Sequence, residues 1–228
     1  MKYFLATPAL EAQIAAIRIK IRLSMNGIVS DKMTQSGLDY KKNYGVSIPR
    51  IKEIASAYTP NHDLADRLWF LGIRETMIMA TLLEPTDKMT PEMANVWVNR
   101  LNQIEITEQA CMNLFSKLPF SGSLCVEWVQ SEHQWVQISG LMLAARTVQQ
   151  LNPTEITAIA LKALELSITT DYHLYKAIAL CLSRFCRKDK ETASTILKQI
   201  TSISASASAG QQFICNEVKQ EILFLGIL

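Results

Sequence analysis

Apolar residues recur every three or four positions along almost the whole chain, and no stretch shows strand alternation bounded by hairpin turns. This regularity restricts the molecule to α-helices. Three helix starts are marked by a capping residue followed by proline, at Thr7–Pro8, Thr90–Pro91 and Asn152–Pro153. The capping oxygen satisfies a free N–H, and the proline ring presets φ in the first turn. Roughly a dozen segments carry the helical pattern, among them "IPRIKEIASAY", "HDLADRLWFL", "IRETMIMATLLE", "SLCVEWVQS" and "DYHLYKAIALCLSRFCRK". With only eight Gly and seven Pro in 228 residues, the connections are short. The one low-complexity stretch, "TSISASASAGQQ" (201–212), reads as a flexible loop before the last helix. No other linker stands out, so one domain spanning 1–228 is expected.

Short helices in antiparallel pairs over this length build a bundle or an α-solenoid. "LWFLGIRETMIMATLLE" and "WVQSEHQWVQISGLMLAAR" share a form: Trp, a polar turn, then an apolar helix rich in small residues and Met. Small residues let neighbouring helices approach closely, and degenerate pairs of this kind are typical of HEAT-like repeats. The expected fold is all-α, a curved HEAT-like α-solenoid of antiparallel helix pairs. The concave face of such a solenoid suits an extended partner.

Composition narrows the function. A charged fraction of 19% beside 49% hydrophobic residues excludes general disorder. No run of about 18 uncharged apolar residues appears, and the N-terminus is a poor signal peptide, so a cytoplasmic location is expected. The cysteines (Cys111, Cys125, Cys181, Cys186, Cys215) are scattered without a CxxC, as are the three histidines, which reads as buried free thiols rather than a zinc site. GxSxG, GxGxxG and the P-loop pattern are absent. Charge is uneven: residues 1–60 carry a net +5, residues 61–170 a net −5, and residues 171–228 a net +2. A nucleic-acid binder would fold its basic ends onto one surface; the plain alternative is a solvated charge pattern. In "WVQSEHQWVQ" (128–137) two tryptophans stand seven apart, so an unbroken helix would point both rings the same way, into a core or onto a ligand.

Four segments occur in order: "YGVSIPRIKEIA" (44–55), "LWFLGIRETMIMATLL" (68–83), "EWVQSEHQWVQISGLMLAAR" (127–146) and "DYHLYKAIALCLSRF" (171–185). Together they resemble the AlkD-like family, the HEAT-like-repeat alkylpurine DNA glycosylases, over roughly residues 40–190. The resemblance implies a basic concave groove that cradles duplex DNA and releases cationic N3- or N7-alkylated purines. It implies an aspartate near the deoxyribose, flanked by two tryptophans, and no metal or cofactor. The chemistry is direct. Breaking the glycosidic bond builds positive charge on the sugar, which a fixed carboxylate stabilises and aromatic faces attract. In such a fold, Trp128 and Trp135 mainly pack one helix pair against the next. The sequence departs from the family pattern at the site itself. Aligned on spacing in "QIEITEQACMNLF", Ile104 takes the place of the first Trp and Glu108 that of the Asp, with Glu105 in reserve. The late Trp falls at Leu180, and Gln137 and Ile138 stand where the family has an Arg pair.

The candidate catalytic residue is therefore Glu108, whose other reading is a solvated early-helix glutamate. The candidate DNA-binding cations are Arg50 and Lys52, then Lys176, Arg184, Arg187 and Lys188, whose plain reading is solvated helix surface. Trp69, Glu75 and Trp97 read as structural. The expected partner is alkylated or distorted duplex DNA, bound by a monomer. The alternative is a non-catalytic scaffold that binds distorted DNA or a protein, which the lost aromatics and the acidic middle favour.

Overall fold

The molecule, seen in a computed structural model, is described over residues 7–203 and 208–227. Thirteen α-helices follow one another among the described residues: α1 (Pro8–Leu23), α2 (Gly27–Gln35), α3 (Ile48–Ser56), α4 (His62–Phe70), α5 (Arg74–Leu83), α6 (Pro91–Val98), α7 (Ile104–Asn113), α8 (Ser121–Val129), α9 (Gln134–Thr147), α10 (Pro153–Leu166), α11 (Tyr172–Phe185), α12 (Lys190–Ile203) and α13 (Ala209–Phe224). A 3-10 turn, Phe115–Lys117, follows α7. The capped starts form as expected. Thr7 Oγ1 accepts from the Leu10 N–H at 3.3 Å, and Thr90 Oγ1 from the Met93 N–H at 3.3 Å. Asn152 and Glu155 cap α10 reciprocally, at 3.0 and 2.8 Å.

The long loop expected at 201–212 is corrected. Helix α12 runs to Ile203, and Ser208 caps α13 by accepting from the Gln211 N–H at 3.2 Å. Residues 204–207 of that stretch lie outside the described residues. The two tryptophans of 128–137 do not share a helix either. Helix α8 ends at Val129 and α9 begins at Gln134.

The chain folds into two compact units, Met1–Leu118 and Pro119–Leu228. In the first, α4 and α5 form a hairpin closed by the Asn61 N–H donating to the Leu83 carbonyl at 2.9 Å. Helices α5 and α7 lie side by side and parallel, because their ends pair in register. Arg74 meets Glu105 at the two starts, and Asn113 Nδ2 donates to Thr81 Oγ1 at 2.9 Å near the two ends. Trp69 and Trp97 stack at 4.4 Å with planes 5° apart and no solvent exposure. Their area removed from water, on the order of 200 Å² each, dominates this core. Trp97 Nε1 donates to Asp66 Oδ1 at 3.3 Å, which satisfies the buried indole N–H.

In the second unit, α8 and α9 pack closely because Gly140 has no side chain. A Cβ there would lie 2.8 Å from the Val129 nitrogen and 3.0 Å from Trp128 Cβ. Trp128 is buried in this core, whereas Trp135 is only half-buried. Helices α9, α11 and α13 are mutually parallel. Trp135 meets His173 and Tyr175 meets Phe213 near the starts, while Lys188 and Arg187 reach α9 and α13 near the ends. Each unit is thus a set of helical hairpins whose second helices stack side by side. All five cysteines are buried and free. Burial pushes the Cys125 and Cys186 thiols up to about 12, so both stay protonated and inert near neutral pH.

Candidate nucleic-acid interface

The head of α7 carries Ile104, Glu105 and Glu108. Glu105 is 19% exposed and accepts two bonds from the Arg74 guanidinium, from Nε at 2.7 Å and Nη2 at 2.6 Å. The Tyr40 hydroxyl donates to the same carboxylate at 3.1 Å. Burial, and then the Glu105 charge, push that hydroxyl far above its usual range, so it remains a donor. Arg74 is 1% exposed and also donates from Nη1 to the Val46 carbonyl at 2.8 Å and to Glu75 Oε1 at 3.0 Å. Glu75, fully buried, accepts from the N–H groups of Tyr44 and Val46 at 3.1 and 3.3 Å. These groups pin the extended connection before α3 onto the starts of α5 and α7. Glu105 is therefore committed to holding the fold, and the reserve catalytic role falls away. Glu108, one turn further along α7, is exposed.

The expected cations sort by what they touch. Arg50 is exposed but pairs with Glu53 at 2.7 Å and donates to Ser24 Oγ at 3.1 Å. Lys52 is exposed and lines an open groove of about 530 Å³ with Tyr58, Leu82, Asn113 and Lys117. Arg187 clasps Glu221 of α13 at 2.5 and 3.1 Å. Lys188 donates to the carbonyls of Val148 and Leu151 at 3.1 and 2.6 Å, capping the end of α9. Both tie the second unit together. Lys176 is exposed, its Nζ 4.7 Å above the Tyr172 ring and 5.7 Å from that of Phe213. Arg184 lies two turns along α11, half-buried.

One group escaped the sequence reading. Where α9, α11 and α13 begin, Trp135, His173, Tyr172, Tyr175 and Phe213 form a continuous row of rings. Successive centroids are 5.5, 5.6, 5.5 and 5.3 Å apart. The first turn of α11, "DYHLYK", is the visible half of this signal. Trp135 and Phe213 join it from segments that only the fold brings near.

The sequence profile of the DNA alkylation repair enzyme family matches residues 29–209. Among solved structures, this chain is similar to a protein from a family related to the HEAT-like repeat DNA glycosylases, with affinity for branched DNA structures. That match has a TM-score of 0.76 at 12% identity and covers 94% of this chain and 95% of the other. It establishes an all-α HEAT-like repeat fold. An engineered protein (TM-score 0.46, 13% identity, 77% of this chain and 86% of that one) and a designed armadillo repeat protein in complex with the peptide (KR)4 (TM-score 0.43, 12% identity, 76% and 85%) are more distant. No curated protein matches the sequence. With about four-fifths of its length matched by the family profile, over residues 29–209, the chain belongs to the DNA alkylation repair enzyme family.

Proposed function

We propose that this protein binds alkylated or distorted duplex DNA in a basic groove, with the cations of its second helices on the phosphates. The observation that carries this reading is the pair Lys176 and Arg184, two turns apart on α11. Eight residues of helix rise about 12 Å. At about 3.4 Å per nucleotide, that spans three to four nucleotides of one strand. Arg50 remains in the contact set at the cost of loosening its bond to Glu53. Arg187 and Lys188 shape the surface through their internal bonds.

Base release is the second part of the proposal, with Glu108 as the carboxylate that faces charge developing on the sugar. A specific observation favours binding without release. Ile104 and Leu180 stand where the family pattern has aromatic walls, and Leu180 is an exposed aliphatic side chain. Such positions attract a cationic base less than a ring does, by about 0.5–2 kcal/mol each. The affinity for branched DNA of the similar solved protein supports the same emphasis.

Lys176→Ala and Arg184→Ala test the phosphate contacts. Each is expected to reduce the slope of log affinity against log salt by about 0.9, with the double variant losing about twice that. Fluorescence anisotropy with a short duplex reads the slope. Wild-type slopes in both variants would remove α11 from the interface.

A further inference from the structure

The row of rings at the starts of α9, α11 and α13 touches the cations proposed above only at Lys176, whose Nζ lies over Tyr172 and Phe213. In its middle, Tyr172 is 52% exposed, although it belongs to an aromatic cluster that would ordinarily be covered. The planes of His173 and Tyr175 stand at 79° and 77° to that of Tyr172, so neither ring lies flat on it, and the Lys176 ammonium sits over the ring at 4.7 Å. The far end of the row is fixed. A Cβ at Gly210 would lie 3.0 Å from the Thr169 carbonyl oxygen and 3.1 Å from Tyr175 Cδ1, so Tyr175 packs against bare backbone. The near end is Trp135, whose ring lies 5.5 Å from that of His173. Tyr172, the one exposed ring of the row, thus stands between half-buried rings that are packed into the fold.

The charge nearby is small. Lys176 sits above Tyr172 and Phe213, and the carboxylate of Glu217 also acts on it. One ammonium opposed by one carboxylate cannot by itself tell an open duplex from a paired one, so any such preference would come from the rings. Flat aromatic faces beside a single cation fit a nucleobase outside its duplex stack, because every base offers a π-face that a ring covers without reading its sequence.

We propose that this cluster, with Tyr172 exposed, Trp135 and His173 beside it and the Lys176 ammonium over the Tyr172 ring, stacks an unpaired DNA base on one of its ring faces where the duplex is open. The proposal rests on the DNA-binding reading and names the feature of distorted DNA that this chain recognises. It also gives the second tryptophan of "WVQSEHQW" a surface role and leaves the first, Trp128, in the core.

The test uses the full chain and two probes: a short duplex with one unpaired central thymidine, and the same duplex fully paired. Trp69, Trp97 and Trp128 are buried, so quenching of tryptophan fluorescence on binding reports on Trp135. The expected result is tighter binding and stronger quenching with the unpaired thymidine. Tyr172→Ala should lose about ten-fold in affinity for that probe and much less for the paired duplex, whereas Tyr172→Phe keeps both. Tyr172 is exposed, so the variant should fold, which helical circular dichroism verifies. If Tyr172→Ala weakens both probes equally, or neither, the platform is wrong and DNA binding through the cations stands. If the wild-type chain binds neither probe, both readings fall.

Discussion

Replacing Arg74 with alanine is expected to remove about 3–5 kcal/mol of folding stability, the largest effect of any single substitution considered for this molecule. The guanidinium is 1% exposed and makes four hydrogen bonds, to Glu105 twice, to Glu75 and to the Val46 carbonyl. Its removal leaves the fully buried Glu75 carboxylate and the mostly buried Glu105 carboxylate without their cation. Taking a partner from a buried pair costs far more than the pair itself contributes, because the remaining charge is stranded in a low dielectric. The same reasoning makes a double variant informative. Arg74→Ala with Glu105→Gln strands one less charge, so its loss should be well below the sum of the two single losses. Urea denaturation of the three variants measures this directly. A loss below about 1 kcal/mol for Arg74→Ala would mean that the two carboxylates find other partners once the guanidinium is gone.

The second large effect concerns chemistry. In single-turnover release of N7-methylguanine from duplex DNA, Glu108→Gln is expected to lower the rate by about 10²–10³ and to leave DNA affinity nearly unchanged. Glutamine keeps the shape of the side chain and removes only the charge that would face the sugar cation. Glu108 is exposed on α7, where solvent weakens its pull on a developing cation, so a slow wild-type rate is expected. Every rate is therefore measured against DNA without protein. Equal release by wild type and Glu108→Gln would withdraw the carboxylate role, while binding through the cations would be unaffected.

The sequence was most legible where structure is local. Thr7–Pro8, Thr90–Pro91 and Asn152–Pro153 start helices because a cap and its N–H lie three residues apart in the chain. Helix α2 was invisible for the complementary reason. None of its residues is buried, so no apolar periodicity marks it. By composition the Ser/Ala-rich stretch before α13 reads as loop, although Ser208 and Gln211 are spaced as a capping box. The site was less legible because its partners are distant. Arg74 and Glu105 are 31 residues apart, and nothing local foretells their pairing. Arg187 and Lys188 looked like part of a basic run, yet their partners come from α13 and from the end of α9. Trp128 and Trp135 were separated by a helix break within "QSEH", which put one ring in the core and left the other at the surface.

The central claim is that this member of the DNA alkylation repair family holds DNA by its backbone. The affinity of the wild-type chain for a short duplex, measured from low to moderate salt, tests it most directly. Two phosphate contacts on α11, through Lys176 and Arg184, predict a line of log affinity against log salt with a slope of about −1.8 or steeper, at about −0.9 per contact. Affinity that does not change with salt, or no affinity at low salt, would contradict the account.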